Sequence, residues 1–552
     1  MDIQGFFSSF NTFLDQLNIL SVSLLIFAPA IFGLILAGPW FPDDEITIRR
    51  TAKAFGWIIF IYSLLFLACF DPDKGLQFME VGKWPGTQYP WIKALGINYI
   101  VSIDGLSMPL VLLTTFITLL SLYASKENIT KRFKLYYSMV LILTTAVLGV
   151  FCAQDLFLFF LFWELELIPM YFLIAIWGSG RAQYSAIKFV LYTLVGSVFI
   201  LAAILILYFS FYNQTGKLTF DMYYLGQQAD YPIKIQLLAF VGFFIGFCVK
   251  LPAVPFHTWL PDAHVDAPTP ISMILAGILL KMGGYGLLRF NFGFLGEALQ
   301  IMAPYVALFA VISILYGAMV ALSQEDMKKL VAYSSVSHMG IVLLGLAAFN
   351  SAGINGAMFQ MLAHGVISAG LFMLVGTIYI RAHTRIIDKF GGLFYQMPVL
   401  SSFFILIGLA GLGLPLMVGF AAESLTFYGA FTSDSFSKFP FFGYDLPLSI
   451  QFFSILGIIG IIVTAAYILW LLERVFFGPM FEKWKPLSDT TLTANKYQEV
   501  LVLCLLSLSI IFFGCFPKTI TRIFEPTITK LVETKTEVIV RIPISNYIGV
   551  AK

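Results

Sequence analysis

The chain has 552 residues, of which 59% are hydrophobic and only 12% charged, and its formal net charge is +2. With a mean hydropathy of +0.88, this excludes a soluble domain, where about a quarter of residues carry charge. It also excludes a nucleic-acid binder, which needs a strong basic field. The five cysteines, Cys69, Cys152, Cys248, Cys504 and Cys515, show no CxxC spacing and no neighbouring histidine. Neither an iron–sulfur, zinc or haem site nor a disulfide is expected from them, and core filling is the plainer reading.

A membrane helix needs about 20 apolar residues. In chain order the candidates are 19–39, 52–70, 106–124, 134–152, 155–178, 184–212 and 235–258. They continue through 270–290, 299–322, 328–349, 354–380, 398–432, 451–477 and 497–516. The expected fold is an all-α polytopic membrane protein of about 14 helices. The runs are continuous rather than alternating, so a β-barrel is excluded. The first residues carry no basic region before the first apolar run, so the first span is expected to direct insertion itself. Loops after odd-numbered spans hold most of the lysine and arginine, among them Arg49, Arg50, Lys131, Arg132, Lys328 and Lys329. That side is predicted to face the cytoplasm, or the stroma of a plastid. The tail 517–552 reads as a solvated or interfacial coil, with docking of a partner as the competing reading.

Two spans should be broken. The run 235–258 contains Lys250-Leu251-Pro252-Ala253-Val254-Pro255, and 398–432 contains Gly411-Leu412-Gly413-Leu414-Pro415. Proline removes a backbone donor and clashes with the carbonyl one turn back. The broken spans are five apart, which predicts two inverted five-helix repeats, a recurring transporter plan. The organisation is then 1–130 (three N-terminal helices), 131–292 (first repeat), 293–480 (second repeat) and 481–552 (last helix and tail).

Charge at bilayer depth is costly, so ionisable residues there are functional candidates. Glu164, Lys250, Lys281 and Glu423 meet this condition. Glu166 lies about 200° round the helix from Glu164 and cannot share its face. His338 and His364 sit near the centres of their spans, where imidazole can pass protons near neutral pH. His257 and His264, near the end of the seventh span, suit a proton inlet or a cap better than a metal site. Lys188 is balanced between snorkelling to the interface and lining a channel. For each of these groups the competing reading is a static ion pair or a satisfied core residue. Together they point to a relay for a small cation, the proton first.

The segments Phe162-Trp163-Glu164 with Leu167-Ile168-Pro169-Met170-Tyr171, Lys250-Leu251-Pro252, His257-Thr258-Trp259-Leu260-Pro261-Asp262-Ala263-His264, Leu279-Leu280-Lys281 and Ser335-Val336-Ser337-His338-Met339-Gly340 resemble the chain 4 (M-type) subunit of respiratory complex I. That family is related to Mrp cation/proton antiporter subunits. The wording of Trp163–Pro169 and Lys281–Gly286 is most similar to the cyanobacterial and plastid NAD(P)H–plastoquinone complex. The resemblance covers roughly 100–480 and implies 14 helices, two inverted repeats and one proton path. It implies that Glu164 and Lys250 form the inlet-side pair, that Lys281 is the central lysine, that His338 and His364 connect, and that Glu423 is the outlet carboxylate.

The resemblance further implies that this chain binds no cofactor. NAD(P)H or ferredoxin, flavin, iron–sulfur clusters and plastoquinone would belong to other subunits. Its partners would be the membrane-arm and hydrophilic subunits and the lipid bilayer, with no nucleic acid. Its place would be a cyanobacterial thylakoid membrane, with a bacterial inner membrane or plastid thylakoid as alternatives. The family includes versions serving inorganic-carbon uptake. A Mrp-type Na⁺/H⁺ antiporter subunit is the second reading, and a passive membrane scaffold is the third. One departure stands out: after Gly413-Leu414-Pro415 the family pattern has glycine, and Leu416 stands there.

Overall fold

A computed structural model describes residues 20–82, 91–125, 129–441, 444–489 and 496–540. Seventeen principal helices build the described part: α1 (Val22–Ala37), α2 (Glu45–Cys69), α3 (Ser107–Ala124), α4 (Phe133–Cys152), α5 (Leu156–Trp177), α6 (Ala182–Thr215), α7 (Ile233–Lys250), α8 (Trp259–Asp266), α9 (Thr269–Phe292), α10 (Gly296–Leu322), α11 (Met327–Ala347), α12 (Ser351–Ala382), α13 (Pro398–Gly411), α14 (Val418–Phe431), α15 (Ile450–Phe476), α16 (Lys496–Cys515) and α17 (Lys518–Val540). Twelve of them are long and apolar enough to cross a membrane, and α1 and α13 are shorter apolar helices. Two small antiparallel hairpins, Gln77–Val81 with Ile100–Ile103 and Phe439–Phe441 with Tyr444–Leu446, sit in the connections.

Burial is unequal. The apolar stretches of α9 and α12 are enclosed by protein throughout, and α11 nearly so, whereas most of α2, α15 and α16 is left uncovered. Without a polar solvent to bond to, backbone at membrane depth must satisfy itself. The enclosed helices are therefore the ones that can tolerate polar side chains. Lys281 lies on α9, His338 on α11 and His364 on α12.

Both expected breaks are present. Helix α7 stops at Lys250, and turns fill Leu251–Thr258 before α8 begins. The turn is pinned by the Val254 amide donating to Ser313 Oγ on α10 at 3.0 Å. Helix α13 stops at Gly411 and α14 starts at Val418. Two further irregularities were not anticipated: π-helical turns at Leu275–Leu279 and Leu287–Phe292 within α9. Such turns free backbone carbonyls and concentrate at functional sites.

The tail reading needs correction. Residues 518–540 form the helix α17 rather than a coil. Ile523, Phe524 and Ile528 are buried on one of its faces, at the spacing that puts side chains on one stripe of a helix. The bundle offers this stripe a seat. Thr527 Oγ1 fills the space that a Cβ on Gly105 would take, and Lys530 Nζ donates to the Asp73 carbonyl at 2.7 Å. Residues 541–552 lie outside the described part.

Candidate proton-relay site

The first cluster forms where α5 meets the end of α7. Pro169 cannot donate to the Leu165 carbonyl, so the α5 ladder loosens there, and Glu166 occupies a turn between two helical segments. This turn directs Glu166 inward, where it is fully buried and its Oε1 accepts from Lys250 Nζ. Lys250 is 1% exposed. It is the last residue of α7, where the partial negative charge of a helix C-terminus favours a cation. Its ammonium also lies 5.1 Å from the Phe189 ring centre and 5.7 Å from that of Trp163.

The carboxylate in contact with Lys250 is Glu166, while Glu164, the expected partner, acts on the same ammonium through its charge without touching it. Glu164 is half-buried, and its Oε1 has no hydrogen-bond partner. The two carboxylates do face apart, as their spacing requires, but the inward one is the second of the pair.

The second cluster runs across α9, α12, α11 and α14. Lys281 is fully buried and holds two partners, the Ala276 carbonyl at 2.6 Å and His364 Nδ1 at 2.7 Å. Ala276 belongs to the first π-turn, so an irregular stretch of backbone supplies the lysine's acceptor. The rings of His364 and His338 are 5.7 Å apart, centre to centre. His338 Nδ1 lies 3.3 Å from Glu423 Oε1 and 3.3 Å from Gln360 Nε2. A cavity of about 10 Å³, lined by Ser334, His338, Gln360, His364, Glu423 and Tyr467 among others, separates these groups. That is close to the smallest space that holds one water. The second break shapes this end of the row. Gly413 has φ +81°, and a Cβ there would stand 2.7 Å from Glu423 Oε2. Glycine is thus required for both conformation and space. Leu416, which stands where the resemblance led to the expectation of glycine, adopts φ +71°, the left-handed region that glycine favours.

The remaining candidates divide. Lys188 Nζ pairs with Asp262 at 2.6 Å, which puts it in an ion pair at the α8 end. His257 packs against Tyr316, and His264 stacks on Phe372 at 4.4 Å, and none of their ring nitrogens has a hydrogen-bond partner. Both are buried, but no hydrogen bond among the described residues joins them to Lys281. Lys328 is also buried and donates to the Ala267 carbonyl at 2.6 Å, beyond the C-terminal end of α8. Sequence reasoning missed Gln360, although its position four residues before His364 puts both on one helix face. It also missed the ion pair of Arg289 with Asp104, 2.7 Å apart, with Tyr285 on the guanidinium. Among the described residues no group of three or more His, Cys, Asp or Glu is placed to hold a metal.

Enclosed lysine, histidine and glutamate joined across broken helices define a membrane protein of the ion-translocating class. The family described as NADH:quinone oxidoreductase/Mrp antiporter matches residues 153–443, and NADH-ubiquinone oxidoreductase chain 4, amino terminus, matches 86–150. NAD(P)H-quinone oxidoreductase chain 4 of Acaryochloris marina is 42% identical over 93% of this chain and 92% of its own length. Among solved structures, a chain of respiratory complex I from Thermus thermophilus with bound NADH has a TM-score of 0.79. It is 26% identical and covers 93% of this chain and 99% of its own. A chain of the Mrp complex from Dietzia sp. DQ12-45-1b has a TM-score of 0.77 at 18% identity over 94% and 98%, a likeness of fold. The chain belongs to the NAD(P)H-quinone oxidoreductase chain 4 family.

Proposed function

We propose that this chain is the proton-translocating membrane-arm subunit of a complex I-like NAD(P)H (or ferredoxin):quinone oxidoreductase, resident in a thylakoid membrane. The observation that carries the reading is the row Lys281–His364–His338–Glu423, whose first three members stand on helices that the protein itself encloses. Redox cofactors belong to other subunits in this reading, and electron transfer there supplies the energy. The segments 131–292 and 293–480 act as the two inverted repeats, supported by a break in the fourth helix of each.

The chemistry follows from the contacts. In the proposed resting state a protonated Lys281, 2.7 Å from His364 Nδ1, donates to it, which places the histidine proton on Nε2. Transfer breaks a Lys281 N–H bond and forms one at His364 Nδ1. The resulting imidazolium releases its Nε2 proton toward the cavity, since Nε2 has no protein partner. The proton continues by way of His338 to the Glu423 carboxylate. The Lys250–Glu166 pair acts upstream. While closed it holds both charges, and opening it would leave Lys250 uncompensated in low dielectric and bias the proton on Lys281.

The test uses the intact complex in sealed vesicles with Lys281→Ala. Quinone reduction should persist while coupled proton movement is lost. Full pumping would overturn the reading. The shared fold of the Mrp chain favours one competitor, a Na⁺/H⁺ antiporter subunit. Purification of the native chain separates them, since redox subunits accompany it under the first reading and other antiporter chains under the second. A passive scaffold predicts that neutralising Lys281 and Glu423 together is harmless.

A further inference from the structure

Two groups converge on one nitrogen. His338 Nδ1 is 3.3 Å from the Gln360 amide nitrogen and 3.3 Å from the Glu423 carboxylate. Gln360 Nε2 is a donor and cannot accept. In the observed arrangement its N–H therefore points at the Nδ1 lone pair, and the ring proton of neutral His338 is on Nε2. A ring in that tautomer has no hydrogen to give Glu423. The other end of the amide is unengaged: Gln360 Oε1 has no hydrogen-bond partner, although the residue is only 2% exposed. A buried amide with an orphaned oxygen is costly, and this one borders the cavity that it shares with His364 and Glu423.

We infer that Gln360 is a valve residue, whose amide by rotating decides whether His338 and Glu423 can exchange a proton. The inference rests on the proton path proposed above. With Oε1 turned to Nδ1, the amide accepts, and the ring reaches the Nδ1–H tautomer by giving its Nε2 proton to a water in the adjoining cavity and taking one from it at Nδ1. The Nε2 lone pair then takes a proton from the His364 side. The Nδ1–H bond breaks as an O–H bond forms on Glu423, leaving a neutral ring and a neutral carboxylic acid. When the amide turns back, its N–H covers the Nδ1 lone pair. Glu423 then has no acceptor through which to return the proton. The observed position is this closed one, and Gln360 acts as a positioning residue, since it passes no proton itself.

The experiment compares Gln360→Met and Gln360→Glu in the assembled complex reconstituted in vesicles, with chain content measured in each. Three quantities are read: protons moved per quinone reduced, back-flow after turnover stops, and the infrared ring bands of isotope-labelled histidine. Methionine fills the space without covering Nδ1, so back-flow should rise severalfold and the net ratio should fall. Glutamate keeps the shape but only accepts when ionised. The histidine signature should move from Nε2–H toward Nδ1–H, and pumping should stop. A merely structural glutamine predicts that the histidine signature of the Glu variant is unchanged, whatever the added carboxylate does to pumping. That result, or wild-type back-flow in the Met variant, overturns the valve. Should the Met variant fail to assemble, the Glu signature decides alone. If Lys281→Ala stops pumping while both Gln360 variants behave as wild type, only the valve falls. If Lys281→Ala pumps fully, the path itself falls.

Discussion

The two broken helices place charge in opposite ways. At the first break the chain stops α7 on Lys250 and closes a carboxylate over it, leaving both partners almost wholly out of contact with solvent. At the second, Glu423 stands inside α14, folds back over Gly413 and faces a small polar cavity with two histidines. One break stores a pair of charges, and the other opens onto a path. Under the proposed function, the same backbone device, a span interrupted where proline or glycine removes the ladder, is a lock in one half and an outlet in the other.

The sharpest way to break this comparison is at the lock. Glu166→Gln leaves buried Lys250 without the carboxylate in contact with it, and breaking a buried pair costs about 3–5 kcal/mol. Coupled pumping should be lost and chain content in the membrane should fall. Glu164→Gln, which removes a charge that acts on Lys250 without touching it, should lower both by less. Equal effects from the two variants, measured by vesicle acidification and by blotting, would refute the reassignment.

At the outlet, Gly413→Ala forces a left-handed Cβ against Glu423. The conformational part alone costs about 1–2 kcal/mol, and the clash displaces the carboxylate. Pumping should drop more than quinone reduction does. The reverse change sharpens the same point. Leu416→Gly removes left-handed strain, so thermal inactivation of the complex should move upward by an amount consistent with about 1 kcal/mol. A lowered inactivation temperature would show that the leucine side chain contributes more than its backbone costs.

The smallest effect lies outside both breaks. Asp44 caps α2 by accepting from the Thr47 amide and hydroxyl. The Thr47 hydroxyl, then its amide, hold the Asp44 carboxyl below its ordinary 3.8. A lowered folded value means that the stabilisation is present above pH 4 and disappears as pH falls through the lowered value. Asp44→Ala should therefore cause slight destabilisation at neutral pH and none in strong acid, read by proteolysis near residue 45.

Much of this was legible in the chain. Prolines and glycines at 252, 255, 413 and 415 marked both breaks because their backbone chemistry is local. Lysine, glutamate and histidine far from span ends marked the row because no other explanation of charge at that depth is cheap. The choice of Glu166 over Glu164 was not legible. It depends on how Pro169 loosens α5 and on where α7 ends in space. The π-turns of α9 leave no compositional mark, and the acceptor that Ala276 offers Lys281 follows from them. Nothing in the sequence marks Gln360 beyond its helical spacing from His364; its place beside His338, at the nitrogen that also faces Glu423, comes from how the helices pack. The helix α17 was hidden for another reason: its apolar stripe is narrow, and only its seat against Gly105 and Asp73 shows what the stripe is for.

The central claim is that a proton passes from Lys281 to Glu423 through imidazole. His364→Phe keeps the bulk and both end groups but removes the connection. Proton uptake per quinone reduced, measured in vesicles carrying the assembled complex, should fall to the level of Lys281→Ala while quinone reduction continues. A wild-type ratio in the His364→Phe complex would contradict the account.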